Sequence, residues 1–222
     1  MKILWLLKRL NIKSIIFNLK HFPIKEALRF PVFIARGTSL KLSQQALFKV
    51  NCEKKYPGMI RIGYKKVGIF DRTTSRTVFE IKGNIEFMGS AFLGLGSKIS
   101  VQEGATLELG NNFIITAQST IICGHHISFG QNCLLSWDIT IMDTDFHKIL
   151  DKDYKVINNP KEIIIGDRVW IGFGSKILKG SIIGDNNVIA ANSLINSIFS
   201  SENSVIGGNP SRILREDISW EI

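Results

Sequence analysis

The stretch DTDFH, residues 143–147, places two carboxylates, an aromatic ring and an imidazole within five positions. Histidine is largely neutral at cell pH because its unperturbed pKa is about 6.5, so His147 is a candidate base for a hydroxyl proton. A carboxylate on the far ring nitrogen would fix the tautomer of that base. Asp143 and Asp145 are the local candidates, with Asp145 preferred. The alternative is an ordinary polar surface turn, so the surrounding elements decide.

Aliphatic residues recur at every sixth position on both sides of this stretch. The clearest run is Ile165, Ile171, Ile177, Ile183, Ile189 and Ile195. A second run with the same period is Leu109, Ile115, Ile121, Ile127, Cys133 and Ile139. A period of six is typical of a solenoid in which each unit makes one short strand and one tight turn. We therefore expect these side chains to point inward and to stack on their copies in neighbouring coils.

The six-residue repeat loses its phase once. The interval from Ile139 to Ile165 is not a multiple of six, so the two runs are out of step with each other. Insertions into a solenoid become loops on one face, which is often the binding face. We therefore expect a protruding loop at about residues 143–162, with DTDFH at its root.

Basic residues are concentrated in the N-terminal part of the chain. Residues 1–82 hold 18 Lys and Arg against 4 Asp and Glu, whereas residues 83–222 hold 10 against 15. The two parts account for the net charge of +9. This distribution favours an anionic partner for the first part of the chain.

The pattern at residues 1–20 predicts an amphipathic helix with one basic stripe. The stripe consists of Lys2, Arg9, Lys13 and Lys20. We favour a helix that caps the open end of the solenoid, where strand edges and apolar core would otherwise be exposed. Peripheral contact of residues 1–20 with an anionic membrane surface is the second reading. Nucleic acid is not expected as a partner, because no recognised motif accompanies the charge.

Composition and cysteine usage indicate a globular intracellular protein. A hydrophobic fraction of 45% and a charged fraction of 21% are ordinary for a folded domain. The three cysteines have no paired short spacing, which favours reduced thiols over disulfides or a zinc site. Lys8 and Arg9 interrupt the apolar N-terminus before a signal peptide can form. We expect a cytoplasmic protein, at the inner face of the membrane if the helix binds lipid.

The segments IGDRVWIGFGSKILKGSIIGDNNVIAANSLI and VIGGNPSRILRE resemble the hexapeptide-repeat acyltransferases. The branch resembled is that of the sugar O-acetyltransferases, both the galactoside and maltose type and those that modify capsule and lipopolysaccharide. The resemblance covers about residues 93–216. It implies an all-β fold, a left-handed parallel β-helix, and a homotrimer with active sites between subunits. We expect a basic helical region at 1–48, the β-helix at 49–209 and a C-terminal helix or cap at 210–222.

The resemblance also implies roles for particular residues. His147 falls where the family places its catalytic base. The residues that would contact coenzyme A are Trp170, Gly172, Ala191, Arg212 and Arg215. Trp170 would line the channel, the two small residues would leave room for the pantetheine arm, and the arginines would lie near the nucleotide phosphates. The alternatives are a ring packed over a solenoid corner for Trp170 and a solvated face for the arginines.

Residues on either side of the loop suit an acceptor pocket. Trp137 could stack on the apolar face of a sugar while Asp138 accepts hydroxyl hydrogens. A corner aromatic in the trimer contact is an equal alternative. His125 and His126 are adjacent and would point to opposite faces of a strand, so we expect only His126 to face the acceptor. Three converging histidines are therefore not expected, and we predict no metal site.

These features predict an acetyl-CoA-dependent O-acetyltransferase acting on a hydroxyl of a sugar, a polysaccharide precursor or a lipid-linked saccharide. The acetyl group would pass directly in a ternary complex, with His147 as general base and no covalent enzyme intermediate. The remaining alternatives are N-acetylation of an amino sugar, a metal-dependent hydratase on the same scaffold, and a non-catalytic solenoid.

Overall fold

Three sheets, parallel except for one C-terminal edge strand, form the body of the protein in this computed structural model, which describes residues 10–71 and 73–221. Successive strands belong to successive sheets, so each coil contributes one strand to every face of a triangular prism. The core is a column of buried aliphatic and aromatic side chains inside the prism. The predicted all-β, parallel β-helical architecture is confirmed.

Two short helices precede the strands: α1 (Ile12–His21) and α2 (Ile24–Ala27). The first sheet contains β1 (Val32–Ile34), β4 (Ile60–Tyr64), β7 (Ala91–Gly94), β10 (Phe113–Ile115), β13 (Leu134–Leu135), β16 (Trp170–Ile171), β19 (Val188–Ile189), β22 (Val205–Gly208) and β23 (Ser211–Arg215). The second contains β2 (Ser39–Leu42), β5 (Val78–Ile81), β8 (Lys98–Val101), β11 (Thr120–Cys123), β14 (Thr140–Met142), β17 (Lys176–Leu178) and β20 (Leu194–Ile195). The third contains β3 (Leu47–Val50), β6 (Asn84–Phe87), β9 (Thr106–Leu109), β12 (His126–Phe129), β15 (Ile163–Ile165), β18 (Ile182–Ile183) and β21 (Ile198–Phe199).

The isoleucine run from 165 to 195 places one buried residue on each sheet per coil. Ile165 lies opposite Ile183, and Ile171 lies opposite Ile189, so three six-residue units make one full coil here. All six isoleucines of the run are buried. The prediction that they stack on their copies is confirmed for this run.

The earlier run from 109 to 139 is buried but follows a longer coil. Ile121 lies opposite Ile141, and Ile115 lies opposite Leu135, so each coil exceeds three six-residue units. The expected inward orientation is therefore confirmed for this run, but its residues do not lie opposite one another in neighbouring coils. Extra corner residues shift the register while leaving the run inside the core.

The β-helix begins well before the predicted boundary at residue 49. Val32 in β1 lies opposite Ile60, and Ser39 in β2 lies opposite Val78, so residues 32–50 already form the first coil. The stretches of chain that separate these paired strands are longer than in the later coils, and the two stretches differ from each other in length. Such connections hide the six-residue period, and the helical region assigned to 1–48 is correspondingly too long.

Helix α1 caps the open edge of β1 through polar side chains. The buried Asn18 amide donates to the Val32 carbonyl at 2.7 Å and accepts from the Val32 N–H at 3.1 Å. The Ser14 hydroxyl accepts from the Ile34 N–H at 2.9 Å, and Asn11 donates to the Ile34 carbonyl at 2.7 Å. Backbone groups that a further strand would bind are satisfied by this helix.

Replacing Asn18 by alanine is expected to lower the free energy of unfolding by about 2–4 kcal/mol, because both backbone groups of Val32 lose their partner. A buried unpaired group costs about 1–3 kcal/mol. Urea unfolding measures the change. The control is Lys20→Ala on the exposed side of α1, which should stay within about 0.5 kcal/mol of the parent. Equal stability of the two variants would contradict the capping role.

Apolar side chains lie on the solvent face of α1, together with the exposed Lys20. Ile12, Ile16 and Leu19 are exposed on it. Of the four residues of the predicted basic stripe, Lys13 and Lys20 lie on α1, and Lys2 and Arg9 fall outside the described residues. Membrane contact by residues 1–20 stays a prediction. Within residues 10–71 and 73–221, no helix is long and apolar enough to cross a membrane.

The chain after residue 209 forms a strand, so of the two forms predicted for this segment, a helix or a cap, the helix is wrong. β23 runs antiparallel to β22, with Gly208 opposite Ser211. Gly208 has a φ of 99°, a conformation open to glycine, and the chain reverses here instead of winding into a helix. The tail then packs Trp220 against the corner at Arg168, so this region does cover part of the solenoid.

Candidate functional site

The predicted loop leaves the solenoid between β14 and β15, and Asp143 anchors its root. The carboxylate of Asp143 is fully buried and accepts from the Gly124 N–H at 2.6 Å and the His125 N–H at 2.9 Å. Its backbone carbonyl accepts from the N–H of Lys161 at the far end of the loop. Asp143 therefore ties both ends of the loop to the preceding coil.

Asp145 fixes the next part of the loop through a different set of partners. Its carboxylate accepts from Lys179 Nζ at 2.6 Å and from Asn158 Nδ2 at 2.8 Å. These hydrogen bonds, that from Lys179 first, lower the pKa of Asp145 below its ordinary value. Lys179 also donates to the carbonyls of Asn158 and Asn159, so one ammonium group clamps the two limbs of the loop.

His147 lies just beyond this clamp with an exposed side chain. Its N–H donates to the Asp145 carbonyl at 2.7 Å, and its carbonyl accepts from Asn158 Nδ2 at 2.8 Å. The backbone of the candidate base is therefore held while its ring projects outward. In the part of the chain that the structure describes, no hydrogen bond joins the ring to Asp143 or Asp145. Orientation of His147 by either carboxylate stays a prediction.

His126 lies near the loop root on the outer face of the third sheet. Its ring lies between two carboxylates, 3.5 Å from Glu108 and 3.4 Å from Glu162. Glu162 is the last residue of the loop. His125 is exposed in the turn before β12. Among residues 10–71 and 73–221, no group of three His, Cys, Asp or Glu side chains is arranged to hold a metal ion.

A separate aromatic cluster occupies the corner between the first and second sheets. The rings of Trp137 and Phe173 are stacked, with centroids 5.7 Å apart, and Phe70 contacts Trp137 edge-on at 6.4 Å. Asp138 follows as an exposed residue in the left-handed backbone region, with a φ of 56°. This ring platform beside an exposed carboxylate has the chemistry of a sugar-binding surface.

Trp170 lies on the outer face of the first sheet. Its indole N–H donates to the Ser136 hydroxyl at 3.2 Å, and its ring is 6.1 Å from that of Trp220. Trp220 donates to the Arg168 carbonyl at 2.8 Å and is buried. Trp170 remains 36% exposed, so it can still form the wall of a channel.

The remaining predicted coenzyme contacts lie along the same side of the molecule. A Cβ on Gly172 would approach the Ala191 nitrogen to 2.8 Å, so close packing between coils already requires glycine there. Ala191 is exposed at the corresponding corner of the next coil. Arg212 and Arg215 are exposed on β23, where their charges are available to an anion.

The predicted site residues fall into two half-sites at different corners of the prism. His147 projects from the loop between the second and third sheets, with Asp143 and Asp145. Trp137 and Asp138 lie between β13 and β14, at the corner of the first and second sheets. The second sheet separates the two corners, so one chain does not bring its base and its aromatic platform together.

The buried thiols are unsuited to nucleophilic catalysis. Burial raises the pKa of Cys133 to about 12, and it raises the pKa of Cys123 as well. Both remain thiols at cell pH, whereas the nucleophile is the thiolate. Cys52 is partly exposed but lies after β3 in the first coil, away from the loop.

Sequence reasoning missed several contributors to these half-sites. Lys179 and Asn158 clamp the loop, Phe173 stacks on Trp137, and Trp220 packs on Trp170. The sequence did contain a signal for the buried position of Asp143. Ile141 points inward and Met142 outward, so strand alternation places Asp143 inward. The other contacts join residues distant in sequence.

Comparison with known proteins identifies the repeat. The family described as bacterial transferase hexapeptide (six repeats) matches residues 162–197. The polysialic acid O-acetyltransferase of Neisseria meningitidis is 35% identical over 63% of this chain and 63% of its own length. The galactoside O-acetyltransferase of Escherichia coli strain K12 is 34% identical over 51% of this chain and 55% of its own length. The chain thus spans less than two thirds of each of these relatives.

Two solved structures share the fold. The polySia-specific acetyltransferase NeuO superposes with a TM-score of 0.60 at 19% identity, covering 86% of this chain and 79% of that one. A galactoside acetyltransferase in complex with coenzyme A gives a TM-score of 0.50 at 26% identity, covering 60% and 64% respectively. Both agree with the predicted left-handed parallel β-helix.

Proposed function

We propose that this chain, whose residues 162–197 match the bacterial transferase hexapeptide family, is an acetyl-CoA-dependent O-acetyltransferase acting on a saccharide hydroxyl. The relatives named as sugar O-acetyltransferases and the coenzyme A-bound structure of the same fold support this activity. The observation that carries it is His147, an exposed imidazole whose backbone is fixed on the loop that interrupts the repeats.

The proposed chemistry requires a base and a leaving thiol. Acetyl-CoA supplies an activated thioester. His147 takes the proton of the acceptor hydroxyl, whose oxygen then bonds to the acetyl carbon. The carbon–sulfur bond breaks, and the protonated imidazole returns the proton to the departing thiolate. The half-exposed Trp170, the small Ala191 and the exposed Arg212 and Arg215 suit the apolar arm and phosphates of coenzyme A.

The acceptor would lie on the platform of Trp137, with Asp138 accepting hydroxyl hydrogens. The single chain keeps this platform away from His147, because the second sheet lies between the two corners. A cyclic trimer joins two different surfaces of each subunit and can place one subunit's loop against the next subunit's corner. We therefore propose that the active site forms between subunits of a homotrimer.

Native mass and subunit mixing test this arrangement. Sedimentation equilibrium should give three times the 24.9 kDa chain mass. Co-expression of His147→Ala subunits with Trp137→Ala/Asp138→Ala subunits, each inactive alone, should restore about a quarter of the parent activity through mixed interfaces. A monomer, or mixtures that stay inactive, would contradict shared sites.

Release of free coenzyme A thiol tests the proposed activity. Purified protein with acetyl-CoA should release thiol when a saccharide acceptor is added, and the product should be a base-labile ester. Matched amino sugars and their hydroxyl analogues separate ester formation from amide formation. Absence of acetyl-CoA binding would instead indicate a non-catalytic solenoid.

A further inference from the structure

A large basic groove lies along the first coils, on the side of the corner that carries Trp137. Its volume is about 1190 Å³. Cationic side chains line it, and none of its lining residues within the described ranges is an Asp or Glu. The cations are Arg36, Arg61, Lys65, Lys66 and Arg76. This groove therefore carries part of the positive charge that is concentrated in residues 1–82.

Four cations of the groove form no ion pair with a carboxylate of the described residues. Arg36, Lys65, Lys66 and Arg76 are exposed, and none makes an ion pair with another described residue. Asp71 is a nearby acid: its carboxylate accepts from the Thr73 N–H at 2.9 Å and interacts electrostatically with Lys65 without forming an ion pair. Concentrated charge of one sign in a concave surface raises the local concentration of the opposite ion.

The groove also offers groups that bind sugar rings. The aromatic surface comes from Tyr56 and Tyr64, and Ser and Thr hydroxyl groups lie beside it in the lining. Phe92 is buried, and Arg61 and Lys66 lie over its ring at 5.3 and 5.8 Å from the centroid. Aromatic faces, hydroxyls and cations together suit a sugar that carries an acidic group.

The groove leads to the proposed acceptor platform. Ser75 and Arg76 line both this groove and a smaller cavity of about 320 Å³. The smaller cavity is also lined by Asp138 and Thr140, which flank the start of β14. Gln118 donates to the Ser75 hydroxyl at 2.6 Å and fixes this junction. A saccharide lying in the groove would therefore extend toward Asp138, beside the aromatic corner.

We propose that this groove binds an acidic oligosaccharide, with carboxylate or phosphate groups on successive sugars. The volume exceeds the roughly 300–1,000 Å³ of ordinary small-molecule sites, which suits several linked sugars better than one. The further statement that an acidic glycan is the acceptor of the reaction rests on the proposed function. Binding in the groove does not depend on it.

Calorimetric titration without acetyl-CoA tests the groove directly. The probes are oligogalacturonate for carboxylate, a phosphorylated mannan oligosaccharide for phosphate, and maltoheptaose as the neutral saccharide. At least one acidic probe should bind, with affinity falling as salt is raised, whereas maltoheptaose should bind at least about tenfold more weakly. Equal binding of neutral and acidic probes would overturn the proposal.

Charge variants locate the binding. Arg36→Gln/Lys65→Gln/Lys66→Gln should weaken acidic saccharide binding at least about tenfold, because three exposed charge contacts are lost. The matched control is Lys20→Gln/Lys41→Gln/Lys82→Gln, which removes the same charge from other exposed positions and should change little. Equal weakening by both variants would overturn the proposal. Oligothymidylate binding as tight as the acidic saccharides would also overturn it, since it would show a general polyanion surface.

The two proposals fail in distinguishable ways. Transfer to a neutral sugar without acidic saccharide binding would overturn the groove and leave the acetyltransferase. Groove-dependent binding without any acetyl transfer would support the groove and contradict the enzyme activity.

Discussion

Replacing His147 by alanine is expected to lower the rate of acetyl transfer by about 10²–10⁴-fold, the usual contribution of a positioned general base. The side chain is exposed and makes no hydrogen bond to another described residue, so folding should be unaffected. Steady-state thiol release at saturating acetyl-CoA and acceptor measures the effect. Urea unfolding should place the variant within about 0.5 kcal/mol of the parent.

The matched control for His147 is Tyr154→Ala on the same loop. Tyr154 is 85% exposed and lies outside both half-sites, so its loss should leave transfer nearly unchanged. Acetyl-CoA binding should persist in both variants, since neither residue is among the proposed coenzyme contacts. Equal activity of the two variants would remove His147 from the mechanism.

Replacing Asp143 by alanine is expected to lower the free energy of unfolding by about 2–4 kcal/mol, because two backbone groups lose a buried acceptor. The groups are the N–H donors of Gly124 and His125, each left unpaired at a cost of about 1–3 kcal/mol. The same change releases the loop root, so transfer should fall as well. Denaturant unfolding measures the stability, and amide exchange at Gly124 and His125 reports on the freed groups.

Asp145→Ala distinguishes the roles of the two carboxylates in DTDFH. Asp145 is exposed, so its loss should leave global unfolding unchanged within error. It should still reduce transfer, because Lys179 and Asn158 lose the acceptor that holds the loop next to His147. A larger stability loss for Asp145→Ala than for Asp143→Ala would contradict the anchoring role of Asp143.

The architecture could be predicted where the coil is short and regular. Ile171 and Ile189 are separated by three six-residue units and lie opposite each other, so the period in the sequence equals the period in space. In the first coil, Ser39 lies opposite Val78. Their separation along the chain is more than twice that of Ile171 and Ile189, and the loops between the strands carry no apolar repeat. The start of the solenoid therefore could not be read from periodicity.

The half-sites could be predicted only as residue types. His147 is a candidate because DTDFH lies where the repeat stops and because the resemblance places a base there, and the structure places it on the loop that fills this gap. Asp143 is buried and Asp145 is exposed, and the partners that hold them lie far along the chain, Gly124 for Asp143 and Lys179 for Asp145. Such tertiary contacts leave no local pattern.

The C-terminal segment shows a limit of a different kind. The segment SRILR suits either a short helix or an edge strand. It forms a strand because β22 offers an unpaired edge beside it. Tertiary pairing overrides a weak local preference here, as it commonly does for short segments.

Transfer of a radiolabelled acetyl group tests the central claim most directly. Parent protein and His147→Ala are each incubated with labelled acetyl-CoA and an acidic or neutral saccharide, and label is counted in saccharide and in protein. We predict label in the saccharide with the parent, label at background with the variant, and no stable label on protein in either. Undiminished transfer by His147→Ala, or acetylated protein as an intermediate with the parent, would contradict direct transfer with His147 as the base.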